Sequence, residues 1–589
     1  MKIVVANSVG VDEEGYYIVH SPSRWSFSAK NFKEQFTYYP WELAYTSSLL
    51  KRETDHRIKF LDGCLNKWDY ASYLARTEEE RPDWLIMESS SRTFDEDFRL
   101  ALAVQEKFGT SLIFCGPHPM TYAKEIIKDY PGDPSKLFIC LGEYEYTVLD
   151  IISGKDPANI LGLYPNLRRP LLDINSLPWP EDEDTRRIEY YDPPSEYREI
   201  QMYASRGCPL KCTFCVCSNL YYTKPNWRPR NVKDVVSEIK YLRNKYEEME
   251  GVFFDEEVHN TKKSFILDLT RAIKEEGLDD LHYDAMCTYS TLDEEMMAAM
   301  KEAGYYKLRV GIETASPKVA KSIGLGKKFN IPKLLNVLKL AKEIGLKVYG
   351  TFTVGAPGAN RIEDEKTTRL IEQIAEEGLL NDLQVSMCTP QPGTPFFKWA
   401  EANGCLVTKD WKKYDGAQMS VVSYPDYSDK EIYEVYQQTL SAYDLGREEK
   451  RRESFLATSQ SQWPGLGLKR AKKILVMRST RMWHVNLSLS ALSCHFKNVR
   501  LDVLAQPIVE EKLRENPQVN EIYLYQEGFF DLEKIDKDLL GHLKQEDYDF
   551  VAVLYNDYCG RGYEEVGKIA RAISKDVLVI KPGGEIEKI

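Results

Sequence analysis

Segments that read as strands alternate with segments that read as helices along most of the chain, and this predicts an α/β protein. Three observations carry that prediction. Short apolar runs bounded by turn residues recur with helical stretches between them, the pattern of parallel sheets covered on both faces. A stretch at 151–198 rich in Pro, Asp and Arg, and a polar stretch at 451–468, interrupt the pattern. The length of 589 residues has room for about three or four domains at ~100–200 residues each.

The first block, 1–150, has apolar runs at Ile3–Ala6, Ile58–Leu61, Trp84–Met87, Ser111–Cys115 and Leu137–Leu141, with helical spacing between them, as over Asp95–Phe108. A doubly wound parallel sheet is expected. Residues 151–198 read as an extended linker. From 199 to 400 the alternation resumes six times, with strands expected at 200–205, 251–255, 282–287, 306–312, 347–354 and 383–388. Six βα units in about 200 residues predict a partial (β/α)6 barrel with its chemistry at the C-terminal strand ends. Residues 401–468 read as a helical extension up to about 450 and then a hinge. A third, Rossmann-like α/β block fills 469–589, opening at Ile474–Arg478 with a helix near 483–495, then strands within Val499–Leu504, Asn516–Ile522 and Tyr548–Leu554.

Lys and Arg total 78 against 91 Asp and Glu, a net charge of −13. An acidic chain disfavours coating nucleic acid, which needs a basic footprint. No apolar run approaches the ~18–20 residues of a membrane-spanning helix. The opening apolar stretch is shorter than a signal sequence needs, and acids follow it at once. The expectation is a cytoplasmic chain with no membrane span and no nucleic-acid partner.

Of twelve cysteines, Cys208, Cys212 and Cys215 fall within eight residues, just after the first strand of the barrel block. Such crowding in a long intracellular chain points to metal or redox chemistry. Three thiolates on one tight loop can hold three irons of a [4Fe–4S] cube and leave the fourth iron open to a chelating ligand. The alternative is a closed zinc site with Cys217 as fourth ligand.

The run Arg206-Gly-Cys208-Pro-Leu-Lys-Cys212-Thr-Phe-Cys215 resembles the signature of the radical S-adenosylmethionine (SAM) superfamily. That resemblance implies a [4Fe–4S] cluster whose open iron binds SAM and whose electron cleaves it to a 5′-deoxyadenosyl radical. It places Phe214 beside the adenine. Asp255, Glu256 and Glu257, after the second strand, resemble the acidic segment that meets the SAM amino group; carboxylates suit an ammonium partner, and a solvated acidic turn is the plain alternative. Gly311, Glu313 and Ser316 resemble the fourth-strand segment near the ribose and carboxylate, and Gly324 to Lys328 the basic turn after it. Gly355 and Gly358 resemble the fifth-strand segment near the adenine, where glycine permits close approach. Thr389 to Pro395 matches the sixth-strand exit of the cobalamin-binding subset. Singly, these glycines are ordinary turn residues.

Three strand exits in the first block carry a second resemblance: Ser89, Ser90 and Thr93; Gly116 and His118; Gly142 and Glu143. Together they resemble the cobalamin-binding domain that precedes many radical SAM barrels, and imply that these residues line the cofactor along one sheet edge. The Asp-x-His-x-x-Gly run that ligates cobalt in many such domains is replaced by Asp62-Gly-Cys64, so a lower face without histidine is expected, and His118 reads as a loop residue. A flavodoxin-like domain that binds nothing is the alternative.

The last block resembles the N-terminal half of heptosyltransferase-like GT-B glycosyltransferases. With about 115 residues it lacks the nucleotide-sugar half, and Met482-Trp-His484 stands where Gly-Asp is usual. A docking or substrate-presenting module is expected, with His484 at the surface or in a cap. Taken together, these resemblances imply a cobalamin-dependent radical SAM enzyme, foremost a methyltransferase acting on an unactivated carbon. Its substrate is unknown, a saccharide, a lipid or another small molecule, and its electron donor is of the flavodoxin or ferredoxin kind. A radical SAM/B12 cyclase, oxidase or rearrangement enzyme is the alternative on the same architecture, and a zinc-stabilised scaffold of cell-envelope assembly the alternative of another class.

Overall fold

Ile3, Val4, Val5 and Ala6 are all buried, the mark of a strand covered on both faces. They belong to β1 (Lys2–Asn7). The computed structural model describes the chain apart from residues 9, 22–25, 30–35, 327, 467–470, 527 and 561. Three short strands follow, β2 (Gly10–Val11), β3 (Tyr17–His20) and β4 (Ser26–Ser28), forming a small antiparallel sheet that the parallel pattern did not anticipate. Then come β5 (Arg57–Asp62), β6 (Trp84–Glu88), β7 (Ser111–Cys115) and β8 (Leu137–Ile139). The main sheet runs β5-β1-β6-β7-β8, all parallel, with the chain reversing direction across the sheet between β1 and β6. Ligands of such sheets sit outside the strand C-termini at that switch.

Residues 153–198 hold short 3-10 turns and no longer helix, as an extended segment should. They are not a solvated spacer, however. Arg187 is buried against Glu238 at 2.5 Å and donates to the Gln201 carbonyl at 3.0 Å. The Tyr190 hydroxyl reaches Asp62 at 2.9 Å. The polar residues that suggested a linker have buried partners on both neighbouring sheets.

The barrel begins with β9 (Glu199–Met202). A two-residue ribbon, β10 (Ser205–Arg206) with β11 (Arg228–Pro229), stands at its exit. The remaining staves are β12 (Gly251–Phe254), β13 (His282–Cys287), β14 (Tyr305–Glu313), β15 (Lys347–Val354) and β16 (Asp382–Met387). Six parallel strands lie in chain order, β9-β12-β13-β14-β15-β16, a partial barrel. Arg309, on β14, points inward; it lies 3.7 Å from the Phe253 ring, pairs with Asp284 at 2.6 Å, and also pairs with Asp192. Buried charge is tolerated there because it is paired.

After the helix Pro395–Ala402 the chain is largely irregular to residue 428, where helix was expected; Gly404, Gly416 and Pro425 break the pattern. The expected hinge from Arg451 is instead helical: one helix runs Asp429–Gln462. Residues 447–462 contain neither Gly nor Pro and are rich in Glu, Arg and Gln, so nothing local stops the helix before Pro464.

The first sheet and the barrel share one compact unit, residues 1–30, 35–192 and 199–443. Residues 193–198 and 444–589 form the other. Its sheet comprises β17 (Lys473–Met477), β18 (Arg500–Ala505), β19 (Glu521–Leu524), β20 (Phe550–Leu554), β21 (Val577–Ile580) and β22 (Ile586–Lys588). The order β19-β18-β17-β20-β21-β22, antiparallel only at β22, is Rossmann-like. His484 is not at the surface: it is fully buried, its ring stacked on Trp483 with centroids 5.2 Å apart, and burial pulls it down to about 3. Among the described residues no helix is long and apolar enough to cross a membrane.

Candidate functional site

The cysteine loop, 207–227, springs from the β10–β11 ribbon at the C-terminal mouth of the barrel. Cys208, Cys212 and Cys215 are half-buried free thiols and electrostatic neighbours of one another. Burial pushes Cys208 up to about 12 and Cys212 well above the usual thiol range; hydrogen bonds with Cys217 and Ser218 bring Cys215 down to about 7. Among the described residues no three His, Cys, Asp or Glu side chains close on a single-ion point. Three irons of a [4Fe–4S] cube each take one thiolate, a donor set that three free thiols on one loop can supply.

The loop backbone is held from several sides. Asn219 Nδ2 donates to the carbonyls of Cys212 and Cys215 at 2.8 and 2.7 Å. The amide of Asn226 donates to the Cys208 carbonyl at 2.9 Å, and that of Thr213 to Ile323 at 3.1 Å. Gly207 has φ +100° and the Asn226 side chain where a Cβ would stand, so glycine is required there. Phe214 packs half-buried on the barrel core. Cys217 lies buried in the core of the N-terminal sheet with Val216, Leu220, Tyr221 and Tyr222.

The three acids after β12 divide by role. Glu256 accepts from the amides of Ala204 (2.7 Å) and Ser205 and, through its other oxygen, pairs with His259 at 2.5 Å. Glu257 accepts from the Gly207 amide at 2.9 Å and from the Tyr222 hydroxyl. Both carboxylates therefore fasten the root of the cysteine loop. Asp255 differs: it is buried, its Oδ2 has no hydrogen-bond partner, and burial together with Asp192 holds its carboxyl well above the usual range.

At the end of β14 Glu313 has φ +65°, a left-handed conformation that a glutamate rarely adopts. Burial, then the neighbouring Cys215, pushes its carboxyl up to about 7. Gly311 leaves room beside it, a Cβ there meeting Glu313 Oε1 at 3.5 Å. Ser316 is otherwise occupied: it caps the helix Pro317–Ser322 through the Val319 amide at 3.1 Å and donates to Glu363. Gly324 lies against the Lys211 carbonyl, 2.9 Å from where its Cβ would be, and Lys328 is close enough to Cys208 to lower it; Lys327 lies outside the described residues. Gly355, φ +69°, donates to Asp364 at 2.7 Å, and Ile432 leaves no space for a side chain.

The N-terminal strand exits have partners within the protein. Ser89 and Ser8 donate to Asp97 at 2.7 Å, and Thr93 hydrogen-bonds the same carboxylate, so these hydroxyls serve a buried acid whose carboxyl burial raises to about 7. Ser90 pairs with His20 at 2.8 Å. Gly116, φ +99°, packs where a Cβ would lie 2.6 Å from the Ser89 carbonyl. His118 hydrogen-bonds Ser91 at 3.0 Å and stacks on Phe94 with centroids 4.4 Å apart; burial lowers it to about 3, so the ring is neutral. Gly142 lies 3.3 Å, measured from its would-be Cβ, from the Tyr221 carbonyl. Glu143 faces no open edge: Arg228 grips it with two hydrogen bonds of 2.9 and 2.8 Å, and Arg206 pairs with it at 3.2 Å.

Beside the switch between β1 and β6 is a small recess lined by Asn7, Ser8, His20, Tyr38, Cys64 and Glu88 among others. Arg206, Arg228, Asn219 and Glu145 also hold the loop, and no local pattern in the sequence signals their part.

Residues 202–371 match the family model of the radical SAM superfamily. The chain is 29% identical over 388 residues, 64% of its length and 81% of the relative's, to an uncharacterized methyltransferase of Pyrococcus horikoshii. Two solved structures share the fold. One is the cobalamin-dependent SAM radical enzyme OxsB, with aqua-cobalamin and SAM bound (TM-score 0.58, 12% identity, 84% of this chain and 71% of that one). The other is the radical SAM methyltransferase TsrM from Kitasatospora setae, with cobalamin and a [4Fe–4S] cluster bound (TM-score 0.51, 15% identity, 68% and 75%). The three-cysteine loop at the mouth of a six-stranded parallel barrel thus falls within the stretch that matches the radical SAM superfamily, and the doubly wound sheet before that barrel is part of the fold shared with the two solved structures.

Proposed function

We propose that the protein is a cobalamin-dependent radical SAM enzyme that methylates an unactivated carbon of a small molecule in the cytoplasm, drawing electrons from a flavodoxin- or ferredoxin-like donor. One observation carries the reading: three free thiols hang at the barrel mouth on a loop whose next turn is embedded in the core of the N-terminal sheet. When bound, the cluster and SAM supply a hydrogen-abstracting radical, and cobalamin a methyl group.

The chain's own residues supply placement. Cys208, Cys212 and Cys215 would hold the cluster. Asp255, with one oxygen unpartnered, is the carboxylate left for an ammonium group at this strand end. Gly311 lets a ligand approach backbone, and Glu313 presents its carboxyl on the cluster side. The recess beside β1 and β6 is where a cofactor lying on the sheet edge would extend.

Anaerobic incubation with methyl-labelled SAM and candidate acceptors tests this. A product ~14 Da heavier and carrying label supports methylation. Release of 5′-deoxyadenosine beside a product without label points to ring closure, oxidation or rearrangement.

A further inference from the structure

Glu145 begins the helix that follows β8 and the Gly142–Glu143 exit, and its side chain is completely buried. Its Oε1 accepts from Arg206 Nη1 at 2.6 Å, and Arg206 is itself completely buried, two residues before Cys208. Glu143 takes the same guanidinium nitrogen at 3.2 Å and both terminal nitrogens of Arg228.

Arg206 and Arg228 are cross-strand partners in the β10–β11 ribbon, one on each leg of the cysteine loop. Two carboxylates from one motif therefore grip both legs of the loop at its root. Further anchors continue along the loop: Arg228 Nε donates to Asn226 at 3.0 Å, and the Asn226 amide to the Cys208 carbonyl at 2.9 Å. The grip runs from the exit of the N-terminal sheet to a thiol-bearing residue through three side chains.

We propose that Glu143 and Glu145 are positioning residues that set the distance between the cysteine loop and the C-terminal edge of the N-terminal sheet, acting through Arg228 and Arg206. The inference rests on the proposed reading that a cluster occupies the one and cobalamin the other. A bidentate carboxylate–guanidinium pair fixes direction as well as separation, which a single lysine contact does not. Cofactors on two different sheets need such a strap, because a site looser by about 1 Å loses its geometry.

Pulsed EPR on full-length protein loaded anaerobically with iron and cob(II)alamin tests it without a substrate, by the dipolar coupling between the reduced cluster and the cobalt. The native protein should give one narrow distance distribution. Glu145→Gln should broaden or shift it by about twofold of its width or more, with both cofactors still bound. A distribution that coincides with the native one, even alongside a lower melting temperature, overturns the proposal. If Glu145→Gln fails to fold, Arg228→Lys, at a partly exposed site, should broaden the distribution through loss of the two-point grip, and an unchanged width overturns the proposal there. Native protein that takes up no iron or no cobalamin overturns the cofactor reading and this inference with it, an outcome distinct from an unchanged distance.

Discussion

Glu88, at the end of β6, accepts a hydrogen bond of 2.7 Å from the hydroxyl of Tyr221, a residue of the turn that follows the third cysteine of the loop. Both are buried, and Tyr144 donates to the other Glu88 oxygen at 2.5 Å. The cysteine loop is thus part of the N-terminal core, and its order depends on a domain more than a hundred residues upstream.

Tyr221→Phe removes that hydrogen bond while keeping the ring in place. A hydrogen bond to a charged group contributes about 1.5–3 kcal/mol. Thermal unfolding should fall accordingly, and iron should be lost faster from reconstituted protein under a chelator. Unchanged iron release would show that the loop holds itself.

Two glycines rank the cost of a side chain at positive φ. Gly154, φ +73°, has nothing within 4 Å of a would-be Cβ, so Gly154→Ala carries only the conformational penalty of about 1–2 kcal/mol. Gly116, φ +99° and ψ 175°, adds a 2.6 Å clash with the Ser89 carbonyl. Gly116→Ala should therefore destabilise clearly more than Gly154→Ala in matched denaturation, and an equal effect would refute the packing argument.

The six barrel strands and the five main strands of the first sheet were legible because each is a short apolar run between turn signals. The antiparallel β2–β4 sheet was not: its strands are two to four residues long, too short for periodicity to register. Within the site, residue type at a strand exit was legible but the partner was not. The partners of Glu143, Glu256 and Glu257, namely Arg206, Arg228, Gly207 and the Ala204–Ser205 amides, are brought to them from at least 50 residues away, beyond any local pattern. Ser316 is a different case, since Ser followed by Pro317 is an N-cap signal that the sequence contains.

Asp97 predicts a pH dependence. Burial raises its carboxyl from 3.8 to about 7, so between those values the folded state binds a proton that the unfolded state lacks. Folding stability must therefore fall as pH rises from about 4 to 7, by at most about 4 kcal/mol. Asp97→Asn, which still accepts from Ser8 or Ser89, should flatten this slope. A variant whose melting temperature follows pH as the native protein's does would contradict the assignment.

Asp255→Asn separates binding from stability. The buried carboxyl, beside Asp192 and without a partner for Oδ2, opposes folding when ionised. The variant should melt no lower than the native protein. If Asp255 meets the SAM ammonium, SAM affinity should drop ~10- to 100-fold, the equivalent of about 1.5–3 kcal/mol. Native affinity in the variant would assign the ammonium elsewhere.

Whether three thiols at a barrel mouth hold a SAM-cleaving cluster is decided by one experiment. Protein reconstituted anaerobically with iron and sulfide, reduced with dithionite and given SAM should bind about four irons per chain and release 5′-deoxyadenosine. Cys208→Ala, Cys212→Ala and Cys215→Ala should each abolish that release while leaving the far-UV spectrum unchanged. Native protein that takes up a single zinc instead, or releases as little nucleoside as the cysteine variants, would contradict the account.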